Sequence, residues 1–187
     1  MKIISKTKYV EFKSAKSPSN SDWYYLKRTN DTSNHDSAVV ITTLVKKDGE
    51  YNFLFLKTKR PPLYAENKAQ FCLESPAGLI ADENCNESLI ECAKKELLEE
   101  AGLEASKLYI ELTNSAASAG LTSETLSYIT AIVDEYRIIK QPVSDGGIIL
   151  ERFLVPAKEI RNYFLNVKDI SLASATVCGV FYALNRI

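Results

Sequence analysis

The sequence is poor in histidine, glycine and methionine, and it has little excess of either charge. One histidine, seven glycines and one methionine occur in 187 residues, and 23 Lys and Arg residues face 24 Asp and Glu residues. Because the net charge is only −1, a basic surface that wraps nucleic acid or docks on anionic lipid is not expected. The single histidine, His35, lies in a polar stretch, so Ser/His and Cys/His nucleophilic schemes lack their base.

The sequence also lacks paired cysteines and long apolar runs. Its four cysteines form no C-x-x-C pair and do not belong to a disulfide-rich small scaffold; they are Cys72, Cys85, Cys92 and Cys178. We expect reduced, structural thiols. No uninterrupted apolar span is long enough to cross a bilayer. The expected protein is therefore cytoplasmic and soluble, without a membrane partner.

What the sequence does contain is a mixed order of strand and helix patterns. The β-branched run 38–45 and residues 51–56 flank an Asp-Gly pair and predict a hairpin. Further predicted strands are 23–26, 107–112, 126–133 and 148–155; predicted helices are 157–166 and 172–185; predicted loops are 14–22 and 29–36. This order predicts an α/β or α+β sandwich. We divide the chain into an N-terminal segment, 1–36, and a main domain, 37–187.

The clearest helix pattern runs from Glu87 to Ala101. Apolar residues recur there at helical spacing, Asn84 or Asn86 is a candidate N-cap, and Gly102 is suited to end the helix. We therefore expect a single amphipathic helix with one face in the core.

Three carboxylates distinguish this helix. Glu96, Glu99 and Glu100 share an arc of about 100° at the edge of the apolar stripe. Carboxylates at this spacing repel one another, so their clustering favours a bound cation, and hard oxygen ligands suit Mg²⁺. The helix alone is explained as well by a solvated face, on which Lys95 pairs with Glu99.

The sequence around the helix resembles the Nudix box, which reads Gly, five residues, Glu, seven residues, Arg-Glu, an aliphatic residue, any residue, Glu-Glu, any residue, Gly and an aliphatic residue. The matching positions are Gly78, Glu87, Glu96, Leu97, Glu99, Glu100, Gly102 and Leu103. Two features depart from the pattern. Eight residues separate Gly78 from Glu87, and Lys95 replaces the arginine, which keeps the charge but loses the planar fork that clamps two carboxylates.

The resemblance implies a Nudix-type α/β/α sandwich with a mixed β-sheet and a carboxylate-bearing helix. It implies that Glu96, Glu99 and Glu100 bind Mg²⁺, for which Mn²⁺ substitutes, together with the backbone carbonyl of Ala77. Glu87 would position the helix or an outer-shell water. Glu99 and Glu100 are the candidate catalytic residues on the helix, because bound metal lowers the pKa of an attacking water.

Other segments are similar to the ADP-ribose and nucleoside diphosphate sugar pyrophosphatase branch of this family. Residues 21–28 resemble its N-terminal strand, which makes Trp23 a candidate adenine platform and places Arg28 beside the substrate. Arg60, in an Arg-Pro-Pro segment, is a candidate phosphate ligand. A half-buried Trp23 and a solvated Arg60 are the structural alternatives.

Two remaining segments, 115–124 and 144–156, also resemble this branch. They concern substrate choice and the general base. Gly78 and Gly120 are further candidate substrate contacts, and Ala119 replaces a proline that is linked to ADP-ribose preference, which favours other nucleoside diphosphate sugars. The family's functional glutamate aligns near Ile148. The general base is therefore left open among four acids, which are Asp145, Glu151, Glu99 and Glu124.

Together these features predict hydrolysis of a nucleoside diphosphate sugar, ADP-ribose or similar, to a nucleoside monophosphate and a sugar phosphate. The branch implies a homodimer formed through the N-terminal segment, and no nucleic acid partner is expected. Two alternatives follow. The chain is a catalytically weak or inactive nucleotide-binding regulator with the same fold, or its acidic helix is structural and binds no ligand.

Overall fold

The computed structural model describes residues 1–29, 37–81, 86–144 and 146–187. In these ranges the strands β1 to β11 are Lys2–Lys6, Val10–Lys16, Asp22–Arg28, Ser37–Lys47, Glu50–Thr58, Phe71–Glu74, Ala77–Leu79, Lys107–Ala116, Thr125–Val133, Ile149–Pro156 and Ile170–Leu172. The α-helices α1 to α4 are Pro61–Ala65, Leu89–Ala101, Ile160–Asn166 and Ser174–Ala183. Short 3-10 turns, Ala157–Glu159 and Leu184–Arg186, precede α3 and follow α4.

Strand β4 is at the centre of a mixed sheet. It pairs antiparallel with β5 and β7 and parallel with β9. Strands β6 and β10 also pair with β5, while β8 pairs with β9 and β11 with β6. Residues 39–45 of β4 are all buried, and a strand that is buried on both faces needs a continuous apolar or β-branched run. The predicted hairpin is thus confirmed as β4 and β5.

Helices cover both faces of this sheet. On one face, α2 packs through Cys92, Ala93, Leu97 and Ala101. On the other, residues of α3 and α4 pack against aromatic side chains of β5; the cluster contains Phe53, Phe55, Ile160, Val180 and Ala183. Phe53 and Phe55 are fully buried, so truncating either to alanine is expected to cost about 3–5 kcal/mol. The predicted α/β/α sandwich is confirmed.

A separate antiparallel sheet, in the order β1-β2-β3, precedes the sandwich. Its β3 edge contacts the loop before β9, where the Leu26 amide donates to the Leu121 carbonyl at 2.8 Å and the Ser123 amide donates to the Leu26 carbonyl at 3.1 Å. The prediction of a loop over residues 14–22 was wrong at its start, because Ser14 to Lys16 belong to β2 and pair with β3. Cross-strand hydrogen bonds stabilise this polar segment, and local composition does not reveal them.

Most of the other sequence expectations are confirmed. The strands predicted at 107–112, 126–133 and 148–155 are β8, β9 and β10, and the two C-terminal helices are α3 and α4 with their 3-10 turns. Cys72 and Cys92 are free and buried, whereas Cys178 is free and exposed. None of the helices in the described ranges is long and apolar enough to cross a membrane. The boundary at residue 36, His35 and Cys85 lie outside the described residues.

Candidate active site

The ends of α2 are set by local hydrogen bonds. Ser88 is the N-cap, since its Oγ accepts from the Glu91 amide at 3.2 Å while the Glu91 carboxylate accepts from the Ser88 amide at 2.8 Å. This reciprocal pair is a capping box. The prediction of Asn86 as the cap was therefore wrong, and Asn84 lies outside the described residues. Gly102 ends the helix with φ 70°, a left-handed conformation that glycine adopts without steric cost.

Glu96 is packed against the backbone of Gly78. A Cβ at position 78 would lie 2.2 Å from the Glu96 carboxyl carbon and Oε1, so only glycine allows the carboxylate to take this place. The pKa of Glu96 is raised to about 7, chiefly by burial; Lys95 opposes this shift, and the nearby charge of Glu99 contributes to it. The carboxylate is thus held at the edge of the core with its charge incompletely compensated.

Glu100 connects the end of α2 to strand β7. Its side chain is buried, and its Oε2 accepts a hydrogen bond from the Ala77 amide at 2.9 Å. Ala77 and Gly78 belong to β7, which pairs with β4. Two of the sequence-predicted glutamates therefore lie against the Ala77–Gly78 segment, and Glu99, between them in sequence, is partly buried.

Lys95 contacts two carboxylates although it replaces an arginine of the Nudix box. Its Nζ lies 3.5 Å from Glu87 Oε1 and 3.6 Å from Glu96 Oε1. Glu87 also accepts a hydrogen bond from the Ala81 amide at 3.3 Å. A single ammonium thus bridges the first glutamate of the motif and Glu96, without the bidentate geometry of a guanidinium.

The donor chemistry of this end of α2 fits a hard divalent cation. Glu96, Glu99 and Glu100 supply carboxylate oxygens, the ligand type that Mg²⁺ and Mn²⁺ prefer. Over the residues with described placement, no three His, Cys, Asp or Glu side chains are grouped as ligands of one ion. Glu96 and Glu100 are instead engaged with Lys95 and the Ala77 amide. A bound cation would lower the pKa of Glu96 again, because it would stabilise the buried carboxylate in its charged form.

Arg60 lies in the same cleft as Glu100. The lining of this cleft includes Arg60, Glu74, Ser75, Ala77, Glu100 and Thr176. Arg60 Nε donates to Glu74 Oε2 at 2.8 Å, and Thr58 Oγ1 donates to the same oxygen at 2.7 Å. Glu74 therefore orients the guanidinium, which is suited to bind an anion through its other N–H groups.

Trp23 and Gly120 are in contact, although 96 residues separate them in the sequence. Trp23 Nε1 donates to the Gly120 carbonyl at 3.0 Å, and Trp23 is 53% exposed. The hydrogen bond anchors one edge of the indole and leaves about half of its surface in solvent. This arrangement brings the two predicted substrate contacts together.

The candidate bases outside α2 are engaged in ion pairs. Glu124 Oε1 accepts from Arg28 Nε at 2.6 Å, so the predicted substrate contact Arg28 is bound to a predicted base. Glu151 Oε2 lies 3.9 Å from Lys57 Nζ on the neighbouring strand, with its side chain 58% exposed. Asp145 lies outside the described residues.

Sequence reasoning missed two residues that contact this site. Glu74 orients Arg60, and Arg152 of β10 donates hydrogen bonds to the backbone carbonyls of Glu100 and Val143. Glu74 directly precedes the Ser-Pro-Ala-Gly turn, a proximity that could have indicated a role. Arg152 lies in a strand far from the motif, and no local pattern indicates its contact.

No protein-family model matches the sequence, and no curated protein matches it. Several solved structures are similar to its fold. An ADP compounds hydrolase has a TM-score of 0.66 at 18% sequence identity, over 99% of this chain and 90% of that chain.

Two structures of a Shewanella oneidensis protein, NrtR, are also similar. Its NUDIX domain complexed with ADP ribose gives a TM-score of 0.58 at 16% identity, over 82% of this chain and 89% of that domain. NrtR complexed with a 27mer DNA gives 0.55 at 17% identity, over 81% of this chain and 62% of that one. The glutamate-bearing helix packs against the Ala77–Gly78 segment of β7. Together with this packing, the similarities show that the chain has the fold of the Nudix hydrolases.

Proposed function

We propose that this protein hydrolyses the diphosphate linkage of a nucleoside diphosphate sugar, ADP-ribose or a similar compound. The products would be a nucleoside monophosphate and a sugar phosphate. The observation that carries the proposal is that Arg60 and Glu100 line one cleft, next to Ala77 at the start of β7. A cationic group suited to phosphate and a carboxylate suited to a metal ion are thus next to each other.

Glu96, Glu99 and Glu100 would hold Mg²⁺ or Mn²⁺, with the Ala77 carbonyl as a further ligand. The bound ion would neutralise the diphosphate and lower the pKa of the attacking water. Gly78 leaves room for the Glu96 carboxylate, and the Ala77 amide holds Glu100 in place. Arg60, oriented by Glu74, would bind a phosphate oxygen and keep the scissile bond near the carboxylates.

The nucleotide base would stack on Trp23. An indole that is anchored at Nε1 and half exposed has little conformational freedom to lose when a base stacks on it, and such stacking contributes about 1–3 kcal/mol in nucleic-acid complexes. Gly120 holds the indole through its carbonyl. Arg28 would act on substrate from the same strand, within its ion pair with Glu124.

Glu99, Glu124 and Glu151 are the candidate bases among the described acids. Glutamine variants at the three positions would separate them, because the variant that lacks the base should lose the acid limb of the kcat against pH profile. Glu124→Gln also breaks the ion pair with Arg28, so Arg28→Ala is its control. If Arg28→Ala reproduces the effect of Glu124→Gln, the ion pair rather than proton transfer explains it.

The protein would act as a homodimer through its N-terminal sheet. Ile4, Phe12, Tyr24 and Leu26 are exposed on this sheet, and the Phe12 and Tyr24 rings stack with centroids 5.8 Å apart. Contiguous apolar surface of this kind favours association. Light scattering of the double variant Phe12→Ser, Tyr24→Ser should give a monomer from a dimeric wild type, and Tyr136→Ser, at an exposed tyrosine of the main domain, should change nothing. A monomeric wild type would refute the dimer.

The decisive experiment measures release of monophosphates from ADP-ribose, UDP-glucose, GDP-mannose, dinucleotides and nucleoside triphosphates. Each substrate is incubated with Mg²⁺, Mn²⁺ or EDTA. Metal-dependent cleavage of a diphosphate sugar supports the proposal and identifies the substrate. Cleavage of triphosphates alone contradicts the substrate class. Nucleotide binding without turnover contradicts hydrolysis and supports the alternative of a nucleotide-binding regulator.

A further inference from the structure

Arg152 is a partly buried arginine outside the motif that contacts its glutamate-bearing end. From β10, its Nε donates to the carbonyl of Glu100 and its Nη2 to the carbonyl of Val143. Val143 lies in the segment that connects β9 to β10, and its amide donates to the Glu99 carbonyl at 2.8 Å, so this segment also binds the helix directly. A third bond joins the Ile139 amide to the Gly102 carbonyl at 2.9 Å. The segment 139–143 and Arg152 therefore both bind backbone carbonyls at the C-terminal end of α2, and Arg152 links this end to the segment.

This end of the helix needs partners for a physical reason. The last four carbonyls of an α-helix have no intrahelical donor, and the C-terminus carries partial negative charge. In α2 the final turns also carry Glu96, Glu99 and Glu100, and the last turn contains no basic residue. Carboxylates at a helix C-terminus are unfavourable. Arg152 supplies the missing cation from another strand, and the Glu99 and Glu100 carbonyls gain donors.

Glu100 is consequently fixed at two points. Its backbone carbonyl accepts from Arg152, and its carboxylate accepts from the Ala77 amide at 2.9 Å. Lys95 contacts a different part of the motif, with Nζ at 3.5 Å from Glu87 and 3.6 Å from Glu96. One cation therefore contacts the Glu87 and Glu96 carboxylates, and the other contacts the backbone of the Glu99–Glu100 turn.

We propose that Arg152 is a positioning residue that fixes the Glu99–Glu100 turn against segment 139–143, so that the two carboxylates are held for metal binding. Arg152 touches neither substrate nor metal in this role. The inference rests on the proposed function for its catalytic consequence. Its structural consequence, an ordered turn and a tighter cation site, can be measured without turnover.

The experiment compares Arg152→Ala, Arg152→Lys and the control Arg161→Ala, whose arginine is exposed on α3. Mn²⁺ affinity is measured by electron paramagnetic resonance, and kcat and KM are measured on the nucleotide sugar that wild type cleaves. Hydrogen exchange at the Val143 amide reports whether the loop is still bound to α2. Far-ultraviolet circular dichroism reports the folded fraction.

We expect Arg152→Ala to lower Mn²⁺ affinity and kcat by about 10–100-fold, the range for outer-shell partners of metal ligands, with little change in KM. Exchange at Val143 should accelerate. Arg152→Lys should recover part of the loss because it keeps the charge and a donor, and Arg161→Ala should match wild type. If Arg152→Ala does not fold, Arg152→Lys and Arg152→Gln replace it, and the graded order Arg, Lys, Gln in Mn²⁺ affinity is the expected result.

Unchanged Mn²⁺ affinity and unchanged Val143 exchange in a folded Arg152→Ala protein would overturn the inference. The inference also fails if Arg152→Lys restores nothing beyond the alanine variant. A wild type that binds Mn²⁺ without cleaving any substrate would defeat the proposed function alone, because Mn²⁺ affinity and exchange still decide the role of Arg152. A wild type that does not bind Mn²⁺ would overturn both.

Discussion

The two sheets of this protein differ in what covers them. The main sheet has α2 on one face and α3 and α4 on the other, and its central strand is buried from residue 39 to residue 45. Among the described residues 1–29, which include the N-terminal sheet, the only buried side chain is that of Glu11, which pairs with Lys6 and Lys13. Strands β1 to β3 expose aromatic side chains, such as Trp23 and Tyr24, whereas Phe53 and Phe55 of the main sheet are fully buried.

The difference indicates a division of roles. The sandwich can hold carboxylates at fixed positions because its close-packed core restrains α2 and β7. The N-terminal sheet is joined to the loop before β9 through β3, at Trp23, Leu26 and Arg28. It presents Trp23, Phe12 and Tyr24 to solvent, so it is suited to recognition and association. Changes in the sandwich should therefore affect chemistry, and changes in the N-terminal sheet should affect binding.

The largest effect is expected from Glu100→Gln. The amide removes a charged metal ligand, and turnover should fall by at least about 100-fold, since even outer-shell partners of metal ligands contribute 10–100-fold. Glutamine is close in size to glutamate, so the melting temperature of the variant should equal that of wild type. The control is Glu104→Gln, an exposed glutamate just past the helix, which should keep wild-type kcat. Full activity in Glu100→Gln would contradict the assignment of Glu100 as a metal ligand.

The next effect is a pH dependence of stability that Glu96 causes. Its pKa rises from 4.5 to about 7 on folding, chiefly because of burial. A raised carboxyl pKa means that the folded state binds the proton more tightly, so this stabilisation is fully present below pH 4.5 and is lost as the pH rises through 7. At about 1.4 kcal/mol per pH unit, the free energy of unfolding should lose about 3 kcal/mol in EDTA.

Urea unfolding between pH 4.5 and 8 measures this loss in wild type and in Glu96→Gln, which has no titrating group at position 96. The free energy of unfolding of Glu96→Gln should therefore lack the part of the pH dependence that Glu96 causes. Mg²⁺ should reduce the dependence in wild type, because a bound cation favours the charged carboxylate. Equal pH profiles for the two proteins in EDTA would show that Glu96 does not titrate in this range.

A smaller effect is expected from Gly78→Ala, which adds a Cβ where the Glu96 carboxylate lies. Glu96 must move, and we expect Mn²⁺ affinity to fall by about 10-fold or more. Gly120→Ala is the matched control for this affinity, because its new Cβ would meet only Trp23 Cζ2, at 3.8 Å. Isothermal titration with Mn²⁺ gives the comparison. Equal Mn²⁺ affinities in the two variants would contradict the proposal that Gly78 makes space for the Glu96 carboxylate at the metal site.

The smallest effect is expected in the N-terminal sheet. Trp23→Ala removes the proposed stacking surface and should raise KM for the nucleotide sugar by about 10-fold, which corresponds to 1.4 kcal/mol of lost binding, while kcat changes little. Trp23→Phe, which keeps an aromatic face but loses the bond to Gly120, should recover most of the affinity. An unchanged KM in Trp23→Ala would leave Trp23 with only its structural contact to Gly120.

The sequence by itself determined the parts of the protein whose signals are local. Periodic apolar residues and Gly102 determined α2, and the β-branched run with its Asp-Gly turn determined the hairpin of β4 and β5, because burial on a regular element imposes its period on the sequence. The spacing of Glu96, Glu99 and Glu100 likewise followed from helical geometry. Strands β1, β2, β6, β7 and β11 were not predicted, since short or polar strands depend on partners distant in sequence.

Only the tertiary structure decided which residues support the glutamates. Gly78 makes room for Glu96, the Ala77 amide binds Glu100, and Arg152 reaches the end of α2 from a strand 52 positions later in the chain. The pairing of Arg28 with Glu124 also joins two remote segments. Such contacts depend on how the layers pack and on which hydrogen-bond donors come close to unpaired acceptors. No local residue pattern predicts these long-range contacts.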